Sequence, residues 1–538
     1  MMKKRTVVAF CAMMALTIGL AFRVLSLSQG EQLAQAAELQ STYTLRIPGS
    51  RGTVFDTRMR PMTNTDALYK AAIVSTPESL QFVSAHFSGE EAAAIRERMA
   101  KGKPILVNLP GPAEPCDGVQ VFRTTSGANP AVAAQTLGYL NGDGDAVSGI
   151  QKAYDDWLSA AGEDTMVRYK VDALGRTLTG EQPEIEHYTA ENQQGVVLTL
   201  DQRLQTIAEE VAKETMKTGA VVILEVPTAE IRAMVSVPTF TVENLQESLE
   251  NPDGPLVNRA LSPYNLGSIF KLVSAAAAME TGNDQMVYLC EGTTEYAGHT
   301  FQCIGATKHG EVNLQRALSV SCNCYFINLS PRIGGKTLLE MAGRLGFGKN
   351  YSLASGIENQ KGTLPTADSL QAPAALANFS FGQGDLMATP LQIAALVNAI
   401  VNQGDYMQPR LMERTTGPDG ETVRRYESAP ATRAMQKETA QALKDYMVQT
   451  VMAGTAGTGR PEDGGAGAKT ATAETGWIKN GHSVIQAWFA GFFPAEQPRY
   501  VVVVLAEDGK TGSGTCGPIF KKIVDRINNE LGAELGLR

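Results

Sequence analysis

The first long apolar block in this chain runs from Val7 to Phe22 and, after Arg23, resumes from Val24 to Leu27. Its length predicts a helix able to cross a bilayer, and Lys3, Lys4 and Arg5 ahead of it predict a cytoplasmic tip. A cleaved signal peptide is the competing reading, with Ala34-Gln35-Ala36 or Ser26-Leu27-Ser28 as the cleavage site. In both cases the residues beyond about 28 lie outside the cytoplasm. Residues 28–190 mix short strands, polar helices and turns. Pro110-Gly111-Pro112 and Asn141-Gly142-Asp143-Gly144 mark loops there.

From Gln194 the pattern changes. Val196 to Leu200 reads as a strand, and Asp201 to Met216 as a helix capped by Asp201. Gly219 to Val226 and Glu230 to Val237 are apolar and β-branched, and they flank Pro227-Thr228-Ala229, which is a hairpin signal. Ala466 to Ala473, Val484 to Phe492 and Arg499 to Ala506 are three more strand candidates. Helical patterns fall at Leu272 to Met279, Lys336 to Leu345, Pro390 to Asn402 and Ile519 to Leu531. Strands at both ends with helices between them predict an α+β domain built on an antiparallel sheet. The expected domains are 1–27, 28–190 and 191–538.

A length of 538 residues agrees with two or three domains, and an apolar fraction of 43% suffices for sizeable cores. A net charge of −9 without a long basic run argues against a nucleic-acid partner. Of the seven cysteines, Cys11 falls in the apolar block. Cys290 and Cys303 flank a short polar loop and could form a disulfide. No C-x-x-C pair is matched by a second one, so a zinc site is not expected. Cys322 and Cys324 read as small buried side chains. The histidines, His86, His187, His299, His309 and His482, are not placed for a Ser-His-Asp set.

Ser268-Ile269-Phe270-Lys271 opens the helix pattern that follows Gly267. Positions three apart share a helix face, so Lys271 is expected beside Ser268. A lysine kept neutral by burial and by a second cation can take a serine's proton. Taken alone, S-x-x-K is a common chance match. Ser321-Cys322-Asn323 follows it, and then Lys469-Thr470-Ala471-Thr472. Ser321 and Asn323 also suit plain helix or turn capping. The order S-x-x-K, S-x-N, K-T-x-T is the signature set of the penicillin-recognising serine transferases and β-lactamases.

Further segments extend the resemblance: Arg51-Gly52-Thr53-Val54-Phe55-Asp56, Ser148-Gly149-Ile150-Gln151, Thr199-Leu200-Asp201, Asn258-Arg259-Ala260, Gly382-Gln383-Gly384, Thr389-Pro390-Leu391-Gln392 and Ala487-Trp488-Phe489-Ala490-Gly491. From about residue 45 onward the chain resembles a class B penicillin-binding protein. That resemblance implies a five-stranded antiparallel sheet flanked by helices, with an all-helical lobe, preceded by a pedestal and a membrane anchor. It implies a peptidoglycan D,D-transpeptidase that cross-links stem peptides and is acylated by β-lactams, with wall-synthesis proteins as possible partners.

The roles follow the matched motifs. Ser268 would be the nucleophile and Lys271 its base. Ser321 would relay a proton to the leaving amine, and Asn323 would hold the substrate's peptide carbonyl and the lysines. Lys469 and Thr470 would hold a terminal carboxylate, and Lys469 would keep Lys271 neutral. The N–H groups of Ser268 and Thr472 would form the oxyanion hole. No metal or organic cofactor is implied. Two departures stand out. Thr57-Arg58-Met59 replaces the family's arginine, asparagine and glycine after Asp56, and Ala471 replaces a glycine. A methyl at 471 could crowd the acyl group or shift the Thr472 N–H. The alternatives are therefore a weak or inactive scaffold or β-lactam sensor, and a D,D-carboxypeptidase or β-lactamase.

Overall fold

The computed structural model describes residues 2–537 apart from 29–40, 66, 126–129, 131, 142–143, 163, 179, 187–191, 243 and 480–481. Ala34-Gln35-Ala36, Gly142, Asp143 and His187 thus lie outside the described residues. The first apolar block forms α1 (Met2–Ser28), of which Lys4–Ser26 is long and apolar enough to cross a membrane. Two compact units are interleaved along the chain, where the sequence expectation drew one boundary near 190. The first comprises residues 1–51, 66–126 and 160–192, and the second 52–65, 127–159 and 193–538.

The first unit carries two three-stranded sheets. One orders its strands Thr42–Ile47, Thr165–Lys170, Glu184–Glu186. The other orders them Ile105–Leu109, Ala67–Ile73, Val119–Thr125. Helices Pro77–His86 and Gly89–Met99 pack Phe82, Val83, Ile95 and Met99 against the second sheet's apolar face.

The second unit is built on a five-stranded antiparallel sheet. Helix α2 (Gln202–Thr215) is capped by Asp201, whose carboxylate accepts from Arg203 N–H at 3.0 Å. Strands β1 (Gly219–Glu225) and β2 (Ile231–Val237) form the expected hairpin. Then come α3 (Lys271–Glu280), α4 (Asn323–Ile333), α5 (Pro390–Val401) and α6 (Lys437–Ala453). Strands β3 (Gly467–Lys479), β4 (His482–Phe493) and β5 (Tyr500–Glu507) and helix α7 (Gly517–Leu531) complete it. The order across the sheet is β2-β1-β5-β4-β3, so β3 is an edge.

Strand alternation divides the sheet's side chains between two cores. Val221, Ile223, Val502, Val504 and Phe489 face α2 and α7. Val222, Leu224, Val501, Val503 and Trp488 face α3, α5 and the helical lobe. Both faces of β5 are covered, which is why Val501 to Leu505 reads as an unbroken apolar run, with every one of these residues 0% exposed. Burying each such side chain contributes about 1.5–3 kcal/mol.

The altered turn after Asp56 forms without a glycine. Asp56 is fully buried and accepts from the N–H groups of Arg58 and Arg60 at 2.8 Å each, and from Gln202 N–H at 3.1 Å. Met59 takes the left-handed conformation, φ 60°, that a glycine would adopt freely. The carboxylate's three hydrogen bonds hold the turn closed.

Candidate active site

Ser268 sits in a tight helical turn, Gly267–Phe270, which runs directly into α3. Gly267 has φ +51°, and a Cβ built there would lie 3.2 Å from Ala473 Cβ, so the turn rests on β3. The Gly382 backbone closes in from the other side. A Cβ on Gly382 would stand 1.8 Å from the Gly267 carbonyl oxygen. The segment before the turn is tied to the sheet by Asn265. Its N–H donates to Gln486 Oε1 at 2.6 Å, and its carbonyl accepts from Trp488 Nε1 at 2.8 Å. Arg259 and Tyr264 both donate to Glu507, at 2.9 and 2.6 Å.

The S-x-x-K spacing places Lys271 Nζ 3.0 Å from Ser268 Oγ. The same nitrogen donates to Ser321 O at 2.8 Å, Ser321 Oγ at 3.1 Å and Asn323 Oδ1 at 2.6 Å. It also lies 5.7 Å from the centre of the Phe326 ring. Ser321 has φ 56°, a left-handed conformation rare for a side-chain-bearing residue. Asn323, the first residue of α4, donates through Nδ2 to Gln302 O at 3.0 Å. Lys469 Nζ reaches Ser321 Oγ from β3 at 3.1 Å and Thr470 O at 2.8 Å. Ser268, Ser321 and Asn323 therefore converge on Lys271 Nζ, and Lys469 joins them through Ser321 Oγ.

Both lysines are fully buried. Burial pushes Lys271 down to about 8. Burial and the charge on Lys271 push Lys469 well below the usual lysine range. The sequence expectation had Lys469 holding Lys271 neutral. Burial is the larger cause at both nitrogens, and the two positive charges disfavour one another.

A cleft of about 460 Å³ opens beside Ser268, lined by Ser321, Thr470, Thr472, Thr511 and Ser513. Thr470 Oγ1 is 2.9 Å from Thr455 Oγ1, and Thr472 Oγ1 accepts from Gly512 N–H at 3.2 Å. Thr455, Thr511 and Ser513 were not found from sequence, because isolated hydroxyl residues in glycine-rich loops carry no spacing signal. Ala471 shares the face of β3 that carries Lys469, packs beside Trp488 and lines the cleft between Thr470 and Thr472. It is 3% exposed. Cys290 and Cys303 are free thiols with sulfurs 3.8 Å apart, not the disulfide the sequence allowed. Cys322 and Cys324 are buried as expected, but they cluster with Cys303. His309 also lines the cleft.

Residues 219–525 match the family described as Penicillin binding protein transpeptidase domain. Peptidoglycan D,D-transpeptidase PbpA of Mycolicibacterium smegmatis is 29% identical over 443 residues, 76% of this chain and 83% of that protein. Stage V sporulation protein D of Bacillus subtilis is 29% identical over 428 residues, 75% of this chain and 63% of that protein. Among solved structures, a D,D-transpeptidase domain from Eggerthella lenta shares the fold with a TM-score of 0.65 and 24% identity, covering 91% of this chain and 100% of that one. Penicillin binding protein 3 of Mycobacterium tuberculosis does so with a TM-score of 0.64 and 23% identity, covering 91% and 97%. The chain belongs to the penicillin-binding protein transpeptidase family, among the class B peptidoglycan D,D-transpeptidases.

Proposed function

We propose that this chain cross-links peptidoglycan through a serine acyl-enzyme formed on Ser268. The carrying observation is the pair of short contacts that joins both lysine nitrogens to Ser321 Oγ while Lys271 also touches Ser268 Oγ. Neutral Lys271 takes the Ser268 proton as Oγ attacks the penultimate carbonyl of a stem peptide ending in D-alanyl-D-alanine. The N–H groups of Ser268 and Thr472 receive the developing oxyanion. Ser321 passes a proton to the departing amine, and D-alanine leaves. An amine of a neighbouring stem peptide then resolves the acyl-enzyme and restores Ser268.

Substrate binding uses the edge of the sheet. An extended peptide lies against β3 by strand addition. Lys469 is wholly buried, so the terminal carboxylate meets the Thr470 and Thr472 hydroxyls, with the ammonium behind them. That carboxylate favours the charged form of Lys469, and a charged Lys469 in turn drives Lys271 to its neutral, basic form. Asn323 holds the substrate's peptide carbonyl. β-Lactams acylate the same serine. α1 anchors the chain in the cytoplasmic membrane, with the first compact unit as a pedestal and the second as the catalytic unit outside the cytoplasm.

The test is labelling with a fluorescent penicillin. Wild-type chain is expected to label covalently, and Ser268→Ala not to label. Label on the Ser268→Ala variant would remove Ser268 from the nucleophile's role. Prompt release of hydrolysed drug from the wild type would identify a β-lactamase instead.

A further inference from the structure

Beside the catalytic cluster the fold gathers four sulfurs and an imidazole that the transpeptidase chemistry does not use. Cys290 ends the strand Tyr288–Cys290, which pairs with Gly310–Val312. Cys303 follows the hairpin Thr293–Tyr296/His299–Gln302. His309 precedes Gly310, and Cys322 caps α4. Cys290, Cys303 and Cys322 are at most 1% exposed. The ligand atoms of Cys290, Cys303, His309 and Cys322 all lie within 4.8 Å of one another.

The spacings are those of a tetrahedral metal centre. Zn–S bonds of about 2.3 Å and a Zn–N bond of about 2.05 Å at the tetrahedral angle put two sulfurs about 3.8 Å apart and a sulfur and a nitrogen about 3.6 Å apart. Here Cys290 Sγ and Cys303 Sγ are 3.8 Å apart, and so are Cys303 Sγ and Cys322 Sγ. Cys290 Sγ lies 3.5 Å from His309 Nδ1. Sulfurs bridged as a disulfide would be about 2.05 Å apart. The spacing rule that argued against zinc looked for paired C-x-x-C. This set comes from four segments instead and is visible only once they are folded together.

We propose that Cys290, Cys303, His309 and Cys322 form a closed structural site for a thiolate-favouring divalent metal, zinc being the natural occupant, and that it positions Ser321 and Asn323. Three soft thiolates with one imidazole select zinc over the oxygen-seeking cations. Cys322 stands between Ser321 and Asn323. Ser321 holds a left-handed backbone, which persists only where its surroundings enforce it. Asn323 Nδ2 already bonds Gln302 O, immediately before Cys303. A metal on Cys303 and Cys322 would add a second tie between the same two segments. It would also fix the Ile304–Thr307 stretch, where Ile304, Thr307 and His309 form one wall of the cleft. Cys324, whose sulfur is 3.6 Å from Cys303 Sγ, is a neighbour of the site outside the four.

Full-length chain purified in detergent without chelator is expected to hold one zinc per chain. Replacement by cobalt(II) should produce thiolate-to-cobalt charge-transfer bands and strong tetrahedral d–d absorption. Cys290→Ser and His309→Ala are each expected to lower metal occupancy, whereas Cys516→Ser leaves it at one. Stripping the wild type with chelator should slow penicillin acylation by about ten- to a hundredfold, and zinc should restore the rate. The restoration guards against variants that merely misfold. Metal content is read without any acylation, so this proposal and the serine mechanism can fail separately. Folded wild type that holds no metal and takes up neither zinc nor cobalt would overturn the site, as would a disulfide among Cys290, Cys303 and Cys322 found by mass spectrometry. Acylation unchanged by metal removal would overturn the positioning role.

Discussion

Lys271 and Lys469 aim their side-chain nitrogens at one oxygen, Ser321 Oγ, each at 3.1 Å. Two ammonium groups on one hydroxyl cannot both stay charged in a buried site at moderate cost. Proton occupancy of the pair therefore sets how basic the Ser268 partner is.

Acylation should depend on pH through this pair. Lys271 must be neutral to accept the Ser268 proton, and burial brings it to about 8. The protonated form dominates below that pH and cannot act as a base, so the penicillin acylation rate rises with pH. A group titrating there gives about a tenfold gain between pH 7 and 9. Rates measured across that range check it, and a flat profile would contradict Lys271 as base.

Removing the shared hydroxyl should be costly. Ser321→Ala leaves Lys469 without its only side-chain partner among the described residues and breaks the path from Lys271. Acylation is expected to slow by about a hundredfold or more while the melting temperature changes little. Stopped-flow labelling together with thermal unfolding separates the two effects.

Gly382→Ala tests how closely the turn that carries Ser268 is held. The added carbon would collide with Gly267 O, and Gly382 has φ +92° besides. A loss of about 3 kcal/mol or more in stability is expected, together with weakened labelling. Denaturant unfolding reads the first and penicillin labelling the second.

Ala471→Gly should do little to the chemistry. The methyl packs beside Trp488 and is 3% exposed, so only a small part of Ala471 reaches the cleft it lines. Stability is expected to fall by about 0.5–1 kcal/mol, with acylation changed less than twofold. A large gain in labelling would instead mean that the methyl suppresses activity, as in the scaffold reading.

Much of the catalytic unit is legible in the sequence. Strands covered on both faces leave runs such as Val501 to Val504, and the Asp201 cap marks the start of α2. The candidate catalytic residues stand out because three short motifs occur in one order, and the fold brings those motifs together. What escaped depends on contacts between distant segments. The strand Thr53–Phe55 pairs in parallel with Gly195–Leu198, which draws residues 52–65 into the second unit. No local pattern announces that pairing. Met59 takes a glycine's conformation because the Asp56 carboxylate ties the turn, and composition does not reveal this. Cys290, Cys303, His309 and Cys322 look unrelated until two small antiparallel pairings and a helix start converge.

Among the described residues, β3 has no neighbouring strand on its outer side. On the proposed mode of binding, a peptide laid there would be a temporary sixth strand, recognised through its main chain before its side groups. Ligands whose backbone amides are methylated or closed into proline rings forfeit those bonds. The enzyme should therefore tolerate varied stem side chains yet reject changes to the peptide backbone.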